Sequence, residues 1–115
     1  MDEREFRRFG LENFDSVALS YIPKEPQELS PTERSRHTAR TILAYSPEKL
    51  VRAEIEMRTV LDPLSILVYA IGTGKVEPMG REIQGLFYIT ELKKNSDPTY
   101  IPLSHIKSFT PLFNK

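Results

Sequence analysis

The chain has two histidines, His37 and His105, and the imidazole side chain is suited to acid–base chemistry near neutral pH. One imidazole could act as a base and the other as an acid while Arg40 or Lys107 held an anion, which is what phosphodiester cleavage needs. This hypothesis of a small His-dependent phosphodiesterase-like enzyme depends on residue types alone. The pattern favours His37 as a surface residue and His105 as a turn residue, so we assign no catalytic residue.

The same composition argues against metal chemistry. Two histidines cannot build a multi-histidine site, and a chain without cysteine has no thiolate ligand, no disulfide and no cysteine nucleophile. A mixed site that joined a histidine to Glu54 or Glu56 would need a spatial coincidence that no spacing supports. We therefore expect neither a metal nor a cofactor.

A glycine-rich segment, 72–75, reads Gly-Thr-Gly-Lys and resembles a phosphate-binding loop only in part. That loop requires an earlier glycine and a Ser or Thr after the lysine, and these two positions hold Tyr69 and Val76. The segment follows an apolar run, so we interpret it as a flexible turn at the end of a strand.

A basic cluster lies in the middle of the chain and consists of Arg34, Arg36, His37 and Arg40. Tyrosines that could stack on bases are Tyr45, Tyr69, Tyr88 and Tyr100. A small barrel that exposes aromatic rings beside a basic edge is typical of single-stranded nucleic-acid binders. Equal numbers of basic and acidic residues, 16 of each, oppose this interpretation because they remove the global positive field. Nucleic-acid binding is therefore the second hypothesis.

The N-terminal segment predicts a short helix that ends near Gly10, because acidic residues come first and are followed by basic ones. Phe6 and Phe9 are one turn apart and would share a face of this helix. The helix could cap the open end of a barrel, or it could dock a partner. In the second case Phe6 and Phe9 are the candidate partner-binding residues.

The segment from Leu50 to Val60 alternates apolar and charged residues, which predicts a strand with one buried and one solvated face. The charged face carries Arg52, Glu54, Glu56 and Arg58. We expect this face to be solvated, with modest cross-strand ion pairs. The alternative interpretation is a recognition face.

The residues before this strand give conflicting signals. Ser30, Pro31 and Glu33 spell a capping box and predict a helix to about His37. The β-branched residues between Thr38 and Tyr45 favour a strand that would form a hairpin with the strand from Leu50 through a turn at 46–49. A helical stripe through the same region supports the opposite interpretation, in which helix dominates 31–71 and a C-terminal β-hairpin follows. We favour the strand.

Downstream, strands are predicted at Leu64 to Ile71, Ile83 to Leu92 and Thr99 to Phe109, the last interrupted at Pro102 and by a turn at 104–106. Such short strands predict a β-rich α+β fold, with a short N-terminal helix and a small antiparallel sheet or barrel of SH3-, Sm- or OB-like architecture. The predicted core residues are Val51, Ala53, Ile55, Met57, Ile66, Val68, Ile83, Phe87, Ile89, Ile101, Leu103 and Phe109.

The length of 115 residues predicts one domain, 1–115. It divides into an N-terminal helical segment (1–16), a short strand at Val17 to Ile22, a proline-rich loop (23–31) and a β-rich body (32–113). No apolar run is long enough for a signal sequence or a membrane span, so we expect a cytoplasmic protein with no membrane partner.

These observations favour a non-catalytic small binding protein that acts through protein–protein interaction, as an adaptor or an inhibitor. A protein partner makes no demand that the residues fail to meet. An exposed strand edge would also permit a homo-oligomer.

Overall fold

The structure, a computed structural model, describes residues 3–14, 30–58, 64–93 and 95–112. The helices with described bounds are α1 (Glu3–Arg8) and α2 (Pro31–Tyr45). The strands are β1 (Glu12–Asn13), β2 (Val51–Met57), β3 (Leu64–Val76), β4 (Ile83–Ile89), β5 (Thr99–Pro102) and β6 (Ile106–Pro111). Short 3₁₀ turns lie at Pro47–Lys49, Pro78–Gly80 and Leu103–His105. None of these described helices is long and apolar enough to cross a membrane.

The strands form one six-stranded sheet in the order β5-β4-β3-β2-β6, and β1 pairs with β3 in parallel. Strands β2 to β5 pair antiparallel with their sequence neighbours, and β6 returns to pair antiparallel with β2. The long strand β3 is shared: its first half pairs with β2, and its second half pairs with β4 on one side and with β1 on the other.

The sheet is strongly curved. Strands β5 and β6 lie at its opposite edges, yet only the three residues of Leu103–His105 connect them. The four Cα–Cα steps from Pro102 to Ile106 span about 14 Å at most, so the end of β5 must lie close to the start of β6. The backbone amide of Arg58, just after β2, donates to the carbonyl of His105 at 2.9 Å. Among the described strands β5 and β6 do not pair, so the sheet is not closed and the predicted barrel is not confirmed.

The inner face of this curved sheet carries one apolar core, and every strand from β2 to β6 contributes to it. Phe6 of α1 is buried against this core, with its ring centre 5.1 Å from that of Phe109. Helix α1 thus covers the inner core, as expected for a capping helix. The buried members are Phe6, Leu11, Ala53, Ile55, Val68, Ala70, Leu86, Tyr88, Ile101, Leu103, Ile106 and Phe109.

The outer face carries a second core, where α2 packs on β3 and β4. Phe14 can lie close to β3 because residues 72 and 74 of this strand are glycines. A Cβ on Gly72 would lie 2.7 Å from the carbonyl oxygen of Glu12 and would overlap the Phe14 ring. The buried members of this core are Phe14, Ala39, Ile42, Leu43, Ile71, Val76, Phe87 and Ile89.

Helix α2 begins as the capping-box pattern predicts. The Ser30 hydroxyl accepts from the Glu33 amide at 3.2 Å, and Pro31 occupies the first turn. The strand predicted from Thr38 to Tyr45 is wrong, because the helix continues to Tyr45. The two threonines of this half bond inside the helix, Thr38 to the carbonyl of Arg34 and Thr41 to that of His37. Burial of Thr38 and its neighbours at helical spacing against β3 outweighs their β propensity.

The strand from Leu50 is confirmed as β2, and the next two predicted strands are confirmed as β3 and β4. The flexible turn predicted at 72–75 is wrong, because β3 continues through these residues to Val76. All twelve predicted core residues are buried or packed partly buried against one of the two cores. The helical alternative for 31–71 holds only to Tyr45.

The described residues thus form a small α+β fold dominated by an open, mostly antiparallel sheet. The predicted strand at Val17 to Ile22 lies outside the described residues. So does the proline-rich loop, except for Ser30 and Pro31, which begin α2.

Candidate functional site

Helix α2 covers only part of the outer face of the sheet. The buried members of the outer core come from α2, β3, β4 and Phe14, and strands β2 and β6 contribute none of them. The outward side chains of β2 and their cross-strand neighbours on β3 and β6 are therefore exposed or only partly buried. We call this surface the open face. It consists of Arg52, Glu54, Glu56, Leu67, Tyr69, Ser108 and Thr110.

A cleft of about 500 Å³ lies at the end of the open face, next to the C-terminal end of α2. Its apolar lining includes two leucines that are well exposed, Leu92 at 56% and Leu112 at 40%. Exposed leucines beside a concave surface are a feature of binding sites rather than of ordinary solvated surface. The complete lining is Pro47, Glu48, Leu50, Val51, Arg52, Tyr69, Leu92 and Leu112.

Local hydrogen bonds position the walls of this cleft. The amide of Ser46 ends α2 by donating to the carbonyl of Ile42 at 2.7 Å, and the following 3₁₀ turn delivers Leu50 to the start of β2. On the opposite side, the amide of Leu112 donates to the carbonyl of Arg52 at 2.8 Å. This bond extends the β2–β6 ladder by one step, so Leu112 is held by backbone pairing.

Arg52 is the charged group at the centre of the site. It lies directly opposite Tyr69 across the β2–β3 ladder, and its guanidinium carbon is 4.5 Å from the centre of the Tyr69 ring. This cation–π contact holds the guanidinium over the ring, and the N–H groups that do not face the ring stay available as donors. Within the part of the chain that the structure describes, no carboxylate forms an ion pair with Arg52. Arg52 therefore presents hydrogen-bond donors to the cleft.

The acids of the open face have different surroundings. Glu56 accepts from Lys107 at 3.3 Å and from the Ser108 hydroxyl at 3.2 Å, so the expected cross-strand ion pairing is confirmed there. Glu54 lies between Leu67 and Thr110 on the neighbouring strands, which are both uncharged. Glu54 is exposed and forms no ion pair among the described residues.

The candidate partner-binding residues of the N-terminal segment lie mostly inside the protein. Phe6 has no exposed surface, and its ring packs edge-on against Phe9 and Phe109. Phe9 is half-buried and stacks on Phe109 at 5.0 Å. In this folded state Phe6 presents no surface to a partner, and the interpretation of α1 as a capping helix agrees with its burial.

The basic cluster falls on one helix, α2. Arg34 and Arg40 are exposed, whereas Arg36 and His37 are half-buried. Two of the nitrogens of Arg40 donate to one carboxylate oxygen of Asp97, at 2.6 and 3.0 Å. The helix thus brings the four residues onto neighbouring turns, while one of them already has an acidic partner. Binding of nucleic acid by Arg34, Arg36, His37 and Arg40 stays a prediction.

The two histidines lie on different elements. His37 is on α2, and His105 is exposed in the 3₁₀ turn before β6. Arg40 and Lys107, the cations assigned to an anion, are bound to Asp97 and Glu56. In the described ranges no group of three or more potential metal ligands is found. The hypothesis of a phosphodiesterase-like enzyme stays a prediction.

The sequence interpretation identified Arg52 and Glu54 as a solvated or recognition face, but it missed the cleft. Leu92 and Leu112 are single leucines after the ends of β4 and β6, and nothing near them in sequence marks a site. The cleft forms only because the curved sheet brings these strand ends beside the C-terminal end of α2. A local pattern carries no signal of that kind.

Comparison with known proteins leaves this site to be interpreted from its own geometry. No family model matches the chain, and neither a curated protein nor a solved structure is similar to it.

Proposed function

We propose that this protein is a non-catalytic binding protein that engages a protein partner through the open face and the adjoining cleft. One observation carries the proposal: Leu92 and Leu112 expose about half of their surface around a concave, apolar cleft. Apolar side chains that are exposed together around one concavity are a feature of interaction surfaces, and burying them stabilises a complex. Covering the exposed halves of both leucines would contribute about 1–3 kcal/mol in total.

The chemistry of the cleft fits a protein partner. Interface centres combine apolar and aromatic surface with arginine, and this cleft has leucines, Tyr69 and Arg52. The surrounding acids and bases would form a polar rim. An adaptor or inhibitor needs no further chemical group. The small-barrel architecture and the cytoplasmic location that the sequence predicts are also part of the proposal.

The experiment is site-specific photo-cross-linking in cells that express the protein. A photoreactive phenylalanine analogue replaces Leu92 or Leu112, and in a matched control it replaces Leu64, which is 50% exposed but outside the cleft lining. We expect a discrete protein adduct from positions 92 and 112 and none from position 64. Adducts of equal yield at all three positions, or none at any of them, would contradict the proposal.

A further inference from the structure

The cleft contains a guanidinium group, that of Arg52, which donates no hydrogen bond to any side chain among the described residues. Arg52 has five N–H donors in a planar fork, and the guanidinium carbon lies over the Tyr69 ring, 4.5 Å from its centre. Among the described residues its side chain contacts no carboxylate, although Glu48 lines the same cleft and Glu54 is two residues away on the same face of β2. The arrangement is suited to a carboxylate that arrives from outside.

The residues that line the cleft beside Arg52 determine which kind of side chain must adjoin the carboxylate in the ligand. Leu50, Val51, Leu92 and Leu112 line the cleft, so a large apolar side chain next to the acidic group would be buried. When a partner surface excludes water from the cleft, the attraction between Arg52 and a carboxylate is also stronger than it would be in bulk solvent.

The acids nearby restrict the ligand further. Glu54 is exposed and forms no ion pair within the described ranges, and its neighbours Leu67 and Thr110 cannot neutralise it. It lies about 7 Å from Arg52, since alternate residues of a strand are that far apart. A second acidic group at this distance would be repelled, whereas a basic one would be attracted.

We propose that the cleft binds a peptide segment of a partner protein in which an acidic side chain, held by Arg52, adjoins a large apolar side chain. This inference rests on the proposed function and names the partner's chemistry. The acidic residue forms a charge-assisted pair with Arg52, the apolar residue fills the space between Leu92 and Leu112, and Glu54 disfavours a run of acids.

The test uses a random-peptide display library selected against the full chain. Parallel selections use the wild type, Arg52→Glu and the matched control Arg81→Glu, an exposed arginine beside the β3–β4 turn and outside the cleft lining. We expect wild-type and Arg81→Glu selections to enrich peptides with an Asp or Glu beside a large apolar residue. The Arg52→Glu selection should enrich Lys or Arg at that position.

A synthetic peptide with the wild-type consensus then provides the quantitative test. It should bind Arg52→Glu at least tenfold more weakly than wild type, and Arg52→Lys by an intermediate factor, because a lysine keeps the charge but loses the planar fork. Changing the peptide's acidic residue to lysine should restore binding to Arg52→Glu. Thermal unfolding of each variant checks that the fold is intact.

The outcomes separate this inference from the proposed function. Peptides that lose affinity for Leu92→Ser/Leu112→Ser but show no acidic preference would overturn the inference and leave the proposed function standing. A library that yields no enriched sequence, or only peptides that bind this double variant as well as wild type, would count against both.

Discussion

Arg52 and Tyr69 face each other across the β2–β3 ladder, with the guanidinium carbon 4.5 Å from the centre of the phenol ring. The pair joins the charged strand of the open face to the wall of the cleft. It also explains why a charged side chain can lie beside Leu50 and Leu112: the aromatic face replaces part of the solvent around the cation. The central group of the site is therefore positioned by the fold before any partner is present.

The stacking makes a first prediction about stability. Replacing Arg52 with Ala should lower the free energy of unfolding by about 0.5–1 kcal/mol, since the cation–π contact and the cover over Tyr69 are lost together. Urea denaturation measures the change. The matched substitution Arg81→Ala should leave the midpoint nearly unchanged, and an equal loss in both variants would show that the stacking contributes nothing specific.

Gly72 gives a second prediction. A methyl group at this position would meet the Phe14 ring and lie 2.7 Å from the carbonyl oxygen of Glu12, so β1 or the outer core must shift. We expect Gly72→Ala to cost about 1–3 kcal/mol, the range for overpacking a core. Gly85→Ala is the control, because its Cβ would approach Val76 only to 3.2 Å. Thermal denaturation should rank the Gly72 variant clearly below the Gly85 variant.

The burial of Phe6 leads to a third prediction. Phe6→Ala should destabilise the fold by about 3–5 kcal/mol, because the ring is fully buried between Phe9 and Phe109. Phe9→Ala should cost less, since that ring is only partly buried. Chemical denaturation distinguishes the two variants. A Phe6 variant of normal stability would contradict the placement of α1 over the inner core.

Tyr88 provides a pH-dependent prediction. Burial raises the pKa of its phenol above the ordinary 10.0, because the charged phenolate would be desolvated. The folded state therefore holds its proton more tightly than the unfolded state does, and the associated stability is complete below pH 10. That stability is lost as the pH rises from there through the folded-state pKa. Urea denaturation across this range should show a steeper fall for wild type than for Tyr88→Phe, and identical slopes would contradict the assignment.

Local pattern was sufficient to predict much of the sheet. The alternation in β2 identified Ala53 and Ile55 as buried and Glu54 as exposed, because a strand with one covered face admits few other interpretations. The capping-box residue Ser30 likewise located the start of α2. These signals are contained within a few consecutive residues.

The predictions that proved wrong concern segments whose structure depends on contacts between residues far apart in sequence. Thr38 favours a strand by propensity, but the second half of α2 is helical because it packs on β3. The Ser35 hydroxyl also bonds to β3, where it donates to the carbonyl of Lys75 at 2.8 Å. Gly72 resembled a turn residue, yet β3 needs a glycine there so that Phe14 can approach. The cleft was missed for the same reason, since its leucines follow two strands that are far apart in sequence.

The most direct test of the account measures the affinity of a partner for the cleft. The partner protein that is captured by cross-linking through position 92 or 112 is purified. Calorimetry then measures its affinity for the wild type, for Leu92→Ser/Leu112→Ser and for the control Leu64→Ser. We predict at least a tenfold loss of affinity for the double variant and none for the control, with all three proteins equally folded. Unchanged affinity in the folded double variant would contradict the assignment of the cleft as the binding site.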